Sequence, residues 1–521
     1  MRKIVFISLI LLLIVFSSLA AAEKELEKRI QTSRIVSSSY MDSFTLRPSF
    51  NNKEKFINPI QAISSDKNLL PHHDSSPQIN KNFTEFSLVN HYPQKFNFKL
   101  TAYVPPYNKG NKSYAGAFLD ISGINLAVWS FDKFILKKEW AQISLNSIAK
   151  NLDNGFEWDK GTFISNNLAH PYHGAIYFSA ARLNGLDILE STFYTTAGSL
   201  MWEMFFESNY PSINDTILTT LGGVVLGGPL YQIAGSLWSQ NPGGFKGILQ
   251  KAITLFINPS FSYRLFPKKP SGLALFPGDH DYRFHIPIGT YWSATNKQKY
   301  LCGISVENTD YINKDISSIK PYHWFLLDCR LGFQKDNYLD KEIFTTVLLN
   351  GKKTENGLSG VFGVYDYIDT QAIDMLSAAG IGMGAVSTFN SKPDFFTNAS
   401  GVFSFILGSS SPSLDGDHCQ FGQKNQKPYY FGPGLMSRFR IEIGKHKLGS
   451  ILAKFSQYWV NSLFSKAQES LSISSFNLLI SITQNSKINL GYDCYIRRGA
   501  FLKQNIAATQ NTFKIFYVHK F

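Results

Sequence analysis

The sequence predicts an α+β protein, with a C-terminal antiparallel transmembrane β-barrel of about 8–12 strands and a helical domain of three or more helices packed in or against it. Three observations carry this prediction. From about residue 283 apolar and charged residues alternate with a period of two. Residues 158–238 instead carry the capping signals of consecutive helices. Aromatic residues make up 15% of the chain and charged residues only 17%, as suits a barrel with aromatic girdles and a lipid-facing band.

The N-terminus has the pattern of a secretory signal peptide. The basic Met1-Arg2-Lys3 precedes an apolar run, Ile4 to Phe16, that is too short for a comfortable bilayer span. We therefore predict a signal peptide at residues 1–22, with cleavage before Glu23. Residues 23–95 are rich in Asn, Ser, Lys and Gln, which predicts a poorly ordered periplasmic segment.

Residues 96–260 are predicted to form a helical domain with a leading strand. Pro171 suits a first helical turn, and Asp187-Ile-Leu-Glu190 predicts a capping box in which Glu190 is structural. Ser212, three residues before Asp215, predicts a third helix start. That helix is glycine-rich, and Gly223 and Gly227, four residues apart, are assigned a structural role because they let another helix come close.

Residues 261–521 are predicted to form the barrel. In 324–333 apolar side chains share one face while Asp328 and Arg330 lie on the other. The pattern repeats in 438–443. About eight such segments follow residue 320, and earlier ones bring the total to ten or twelve.

The exported barrel predicts the partners and the location. The chain ends on an apolar strand pattern whose last residue is Phe521, typical of the assembly signal read by the barrel-assembly machinery. The formal net charge of +13 is scattered and accompanies no nucleic-acid motif. We therefore expect an outer-membrane protein whose partners are outer-membrane lipids and lipopolysaccharide, and no nucleic acid.

Four cysteines in 521 residues do not make a disulfide scaffold. Cys302 and Cys329 could bridge neighbouring strands, and the spacing leaves that open.

The central stretch resembles a known bacterial family. It carries Asn167-Leu-Ala-His-Pro-Tyr-His-Gly174, then Gly198-Ser-Leu-x-Trp-Glu203, then Pro211-Ser-Ile-Asn-Asp215. These motifs resemble the exported "domain of unknown function 3943" family, closely over residues 122–238. The resemblance implies no activity. One departure is visible: an acidic residue is expected near Gly228, where this chain has Gly-Pro229.

Four residues of this stretch are candidate catalytic groups: His170, His173, Glu203 and Asp215. The two histidines have a spacing compatible with metal ligands, but no third ligand follows at a readable spacing, so no metal and no cofactor is predicted. Glu203 lies among large apolar residues, where a carboxylate needs a partner. Arg182 is the nearest cation, either as the partner of Glu203 in a structural pair or as an anion-binding group.

Two functions follow, and the non-enzymatic one is favoured. In the first, an outer-membrane barrel carries a helical plug or periplasmic domain and serves envelope integrity, small-solute passage or lipid interaction. The alternative is a hydrolase or transferase acting on envelope lipid or lipopolysaccharide through a His/Glu/Asp site. No nucleophile motif supports the alternative, and Ser179 and Ser199 are the nearby serines to check.

Overall fold

The architecture was derived from a computed structural model that describes part of the chain. The described residues are 112–158, 161–240, 243–265, 282–293, 298–309, 319–333, 339–371, 374–392, 394–412, 429–445, 447–463, 465–501 and 505–520. The predicted signal peptide, N-terminal segment and leading strand lie outside them, as do Cys419 and Phe521.

Six α-helices precede the barrel in the described part of the chain. They are α1 (Tyr114–Phe134), α2 (Leu145–Asn154), α3 (His170–Leu183), α4 (Ile188–Phe205), α5 (Ile213–Gln240) and α6 (Gly244–Ile257). A π-helical turn, Ser165–Ala169, leads directly into α3, and a 3-10 helix, Pro259–Leu265, follows α6.

Side chains in the first turns explain where two of these helices begin. At α4 the Glu190 N–H donates to Asp187 Oδ1 at 2.9 Å, and the Asp187 N–H donates to Glu190 Oε2 at 2.8 Å. At α5 the Asp215 N–H donates to Ser212 Oγ at 3.1 Å. Each contact satisfies a backbone N–H that the helix itself cannot pair.

Twelve antiparallel strands close into a barrel, which confirms the predicted fold class. Ten of them follow residue 320, where the sequence suggested about eight. The strands are β1 (Tyr282–Ser293), β2 (Gln298–Asn308), β3 (Phe325–Phe333), β4 (Leu339–Thr354), β5 (Gly357–Thr370), β6 (Asp374–Lys392), β7 (Phe395–Pro412), β8 (Tyr429–Lys445), β9 (Gly449–Asn461), β10 (Gln468–Ser481), β11 (Ser486–Ala500) and β12 (Asn505–Lys520).

Ion pairs identify the face of the wall that lines the lumen. Lys454 on β9 lies 3.3 Å from Asp328 on β3, and Arg440 on β8 lies 3.4 Å from Glu307 on β2. In each pair the two strands are six places apart in the ring of twelve. Side chains on opposite walls can meet only inside the barrel. The alternate residues, among them the exposed Phe405 and Leu331, therefore face outward.

The helical region packs against the outside of this wall. Tyr365 and Tyr367 of β5 flank Asp366, whose carboxylate pairs with Arg438 across the lumen, so both tyrosines point outward. Both are fully buried, because Phe163 stacks on Tyr367 and the Tyr365 hydroxyl donates to the Asn167 carbonyl. The prediction of a domain packed against the barrel is correct, while a plug in the lumen is wrong for the described helices.

Helix α5 makes most of this contact and crosses the outer faces of β4 to β7. Its Val225 meets the wall where Gly363 leaves room, with the Val225 Cγ2 atom 2.7 Å from the place of an added Cβ. Residues Ile213–Trp238 are long and apolar enough to cross a membrane, and 78% of their most apolar window is buried. This helix is thus largely enclosed between the barrel wall and the other helices.

The two free thiols that the sequence placed on neighbouring strands do not pair. Cys302 of β2 lies opposite Leu331 of β3, and Cys329 lies opposite Ile304. Both cysteines are free in the structure.

Candidate functional site

Three helix ends bring three of the four candidate residues together. His170 is the first residue of α3, Glu203 lies in the last turn of α4, and Asp215 lies in the first turn of α5. One ligand atom from each residue lies within 4.8 Å of the other two. His170 Nε2 lies 3.9 Å from Asp215 Oδ2.

The site is buried, although its residues are polar. Glu203 is 1% exposed, Asp215 2% and His170 9%. Burial raises the free-energy cost of a carboxylate charge, and two carboxylates lie close together here. No lysine occurs between Gly161 and Phe245.

Backbone and side-chain donors hold the three residues in place. The Ser212 N–H donates to Glu203 Oε2 at 2.9 Å, which joins the end of α4 to the start of α5. Asn214 Nδ2 donates to Asp215 Oδ1 at 3.2 Å. On the other side, His170 Nδ1 lies 3.3 Å from the Thr219 hydroxyl, so the imidazole presents its Nε2 atom to Asp215.

His173 lies one turn beyond His170 and beside the site. Its ring packs against Tyr177 and Trp202, at centroid distances of 4.4 Å and 5.0 Å. Burial, assisted by the neighbouring His170, lowers the pKa of His173 to about 3, so the ring is neutral. Nδ1 lies 3.4 Å from the Tyr177 hydroxyl, and the buried Nε2 has no hydrogen-bond partner within the described residues.

Of the two serines worth checking, Ser199 is the one with unused hydrogen-bonding capacity. It is 1% exposed, and its Oγ atom has no partner among the described residues. It lies one turn before Glu203 on α4. Ser179, in contrast, donates to the Ala175 carbonyl at 2.7 Å and accepts from Asn258 Nδ2 at 2.7 Å. The Ser179 hydroxyl therefore already takes part in two hydrogen bonds that belong to helix packing.

Arg182 does not join the site, and the predicted Arg182–Glu203 pair is wrong. Twelve residues of α3 separate Arg182 from His170, which is about 18 Å along the helix axis. Its guanidinium donates to the Leu186 carbonyl and lies 6.0 Å from the centre of the Tyr231 ring. The role of Arg182 as an anion-binding group stays a prediction.

The remaining residues singled out from the sequence take part in packing. Gly223 of α5 touches Gly174 of α3: a Cβ at Gly223 would lie 2.6 Å from the Gly174 carbonyl carbon. A Cβ at Gly227 would lie 2.8 Å from the Phe178 ring. Glu190 completes the cap of α4 and lies 2.7 Å from Lys112.

The surroundings of Gly228 explain why this chain has no acidic residue at that position. A Cβ at Gly228 would lie 2.1 Å from the Tyr322 ring, which comes from the connection between β2 and β3. The Tyr322 hydroxyl donates to the Val224 carbonyl at 3.0 Å and fixes the ring against α5. The space that a carboxylate would need is filled.

Comparison with known proteins identifies a family match within the helical region. Residues 155–260 match the family model described as Domain of unknown function (DUF3943). The match confirms the resemblance predicted from the sequence and covers α3 to α6, which include all three residues of the site. No curated protein matches the chain.

Several solved outer-membrane proteins match slightly less than half of this chain. A NanC porin shares 9% identity over 45% of this chain and 100% of its own, with a TM-score of 0.28. OmpT, an outer membrane protein of Vibrio cholerae, shares 10% over 46% and 97%, with a TM-score of 0.17. The β domain of the Bordetella autotransporter BrkA shares 8% over 46% and 99%, with a TM-score of 0.21. With scores this low, the barrel assignment rests on the strand pairing itself.

Proposed function

We propose that this protein resides in the outer membrane and acts at the lipid-facing side of its barrel, through the helical region, rather than as a channel. The observation that carries the proposal is the position of the helices. They cover the outward face of the wall at Tyr365, Tyr367 and Phe325, the face that otherwise points to the bilayer.

The helical region is itself apolar on its outside. Large hydrophobic side chains remain exposed on four of its helices: Phe118, Leu119 and Leu126 on α1, Leu152 on α2, Leu189 and Phe193 on α4, and Phe245, Ile248, Leu249 and Phe256 on α6. Water would disfavour so much exposed apolar surface, whereas the acyl chains of a bilayer accept it.

The side chains in the lumen also favour a role at the lipid-facing side over passage of small solutes. Arg438 Nη2 lies 2.6 Å from Asp366, and the Tyr458 hydroxyl donates to the same carboxylate at 2.7 Å. The pairs Lys454–Asp328 and Arg440–Glu307 span the barrel from wall to wall. A solute entering the barrel would have to break these ion pairs.

Lipid contact is tested by site-directed photo-crosslinking in outer membranes. A photoreactive phenylalanine analogue is placed at Phe193 of α4, with Phe405 of the uncovered wall as positive control and Asn356 of the β4–β5 turn as negative control. We expect lipid adducts at positions 193 and 405 and none at 356. Adducts at 405 alone, or recovery of the whole protein in the soluble periplasmic fraction, would contradict the proposal.

Channel function is tested separately by reconstitution in planar bilayers. We expect no stepwise conductance from the wild type, because the lumen is bridged. Regular conductance steps at neutral pH would favour solute passage instead.

A further inference from the structure

The His170, Glu203 and Asp215 side chains form a donor set of a recognisable kind. One imidazole nitrogen and two carboxylates come from three different helices and converge within 4.8 Å. Three protein ligands with a remaining open position are the usual composition of a catalytic zinc site. The three ligands are far apart in sequence and meet only in the folded protein. Sequence spacing alone therefore predicted no metal.

The separation of His170 and Asp215 is close to the one that a bound ion requires. Ligand atoms about 2.1 Å from a tetrahedral ion lie about 3.4 Å apart. The 3.9 Å between His170 Nε2 and Asp215 Oδ2 needs only a small contraction to reach that value.

Hydrogen bonds outside the donor set orient the ligands as in known metal sites. His170 Nδ1 lies 3.3 Å from the Thr219 hydroxyl, which fixes the ring with Nε2 toward the site. The Ser212 N–H holds Glu203, and Asn214 Nδ2 holds Asp215. Such supporting contacts set the tautomer of a ligating histidine and the orientation of ligating carboxylates.

Two further polar atoms beside the donor set give an independent indication of a ligand. Ser199 Oγ is buried and has no hydrogen-bond partner within the described residues. On the same face of α4, the Thr196 hydroxyl contacts Thr220 of α5 at 3.2 Å, and Glu203 accepts from the Ser212 N–H at the start of α5. Ser199 falls between these two positions, so it lies on the face of α4 that contacts α5. His173 Nε2, one turn from His170, is also buried without a partner there. Both groups are suited to hydrogen-bond a water molecule carried by an ion.

We infer that His170, Glu203 and Asp215 bind a divalent first-row transition metal ion, with Zn²⁺ or Mn²⁺ as the best fits. The donor chemistry favours these ions, because imidazole suits zinc and iron while carboxylates suit manganese. The absence of thiolate ligands excludes the soft, all-cysteine class of structural zinc site for this donor set.

The binding test uses the full chain, purified in detergent, stripped with a chelator and titrated with Zn²⁺. We expect about one equivalent bound per chain, with an affinity that falls by at least about tenfold in His170→Ala, Glu203→Gln and Asp215→Asn. Matched controls replace the same residue types elsewhere: His519→Ala at the end of β12 and Glu355→Gln in the exposed β4–β5 turn. The controls should bind as the wild type does.

Folding is monitored in every variant by heat modifiability on gels and by circular dichroism. A second measurement needs no variant: Co²⁺ bound to the stripped wild type should give the visible absorption of a site with nitrogen and oxygen ligands. Cu²⁺ in the same site should show an electron-paramagnetic coupling to one imidazole nitrogen. Stoichiometric binding that survives all three substitutions, or no bound Zn²⁺ and no Co²⁺ spectrum at micromolar free metal, would overturn the inference.

Discussion

Carboxylates are buried in two places in this protein, and different side chains lie next to them in each place. In the lumen Asp328, Asp366 and Glu307 lie 3.3 Å, 2.6 Å and 3.4 Å from lysine or arginine nitrogens. In the helical region Glu203 and Asp215 lie beside an imidazole instead, in a stretch of sequence without lysine. The first arrangement pairs each of these carboxylates with a cation of the barrel wall. The second suits an exchangeable cation.

The comparison also distinguishes polar groups that stabilise the fold from polar groups that could bind a ligand. A guanidinium stays charged at any physiological pH, so a lumen pair such as Arg438–Asp366 is permanent. A neutral imidazole can instead give its lone pair to a metal. The following predictions test this distinction and the attachment of the helices to the wall, from the largest expected effect to the smallest.

Breaking one lumen pair should destabilise the barrel strongly. Asp366→Asn keeps the size of the side chain but leaves Arg438 buried without its counter-charge, which costs about 3–5 kcal/mol. Adding Arg438→Met should restore part of the loss. The measurement is urea unfolding of the detergent-folded protein, with Asp394→Asn in the exposed β6–β7 turn as control. Equal stability of Asp366→Asn and the control would show that the lumen charges are not structural.

Much of this architecture could be predicted from the sequence, since it depends on local patterns. The Asp187–Glu190 box and Ser212 mark helix starts through contacts only three residues long. The alternation around Asp328 and Arg330 shows which residues share a face. Local patterns do not show which surface each face contacts in the folded protein. Tyr365 and Tyr367 share the outward face of β5, and nothing near them in sequence indicates that helices cover them.

The candidate site shows the same boundary between local and long-range information. The sequence predicts His170, His173, Glu203 and Asp215 as one group, because a buried carboxylate needs a partner. Arg182 was assigned to Glu203 as the nearest cation in sequence, although α3 carries it about 18 Å away from His170. The metal-ligand geometry depends on three helix ends that meet only in the folded protein, so no spacing rule finds it.

Close packing of α5 on α3 should be the next most sensitive feature. Gly223→Ala places a methyl group against the Gly174 backbone, which cannot move aside, and overpacking of this kind costs about 1–3 kcal/mol. Gly227→Ala should cost less, because it meets the Phe178 ring, which can shift. The measurement is protease resistance of the helical region. Gly243→Ala is the control, since nothing lies within 4 Å of an added Cβ there.

Attachment of the helices to the wall is tested at Tyr365. Tyr365→Phe removes the hydroxyl that donates to the Asn167 carbonyl and should destabilise the helical region by about 1 kcal/mol. The barrel should keep its heat modifiability. Tyr492→Phe, on the uncovered outer wall, is the matched control. Equal protease resistance of the two variants would mean that the wall contact does not stabilise the helices.

The smallest expected effect is also the one that separates the two readings of Glu203. If Glu203 were paired with Arg182, a double-mutant cycle of Glu203→Gln and Arg182→Met would show strong coupling, because each single change would leave a buried charge uncompensated. The distance along α3 predicts instead that the two changes add within about 0.5 kcal/mol. Glu203→Gln alone should stabilise the metal-stripped protein, since it removes one of two neighbouring buried carboxylates, and the gain should disappear when Zn²⁺ is added to wild type and variant alike. Unfolding of the four proteins, each measured with chelator and with Zn²⁺, gives both results. Strong coupling between Glu203 and Arg182 would return Glu203 to a purely structural role.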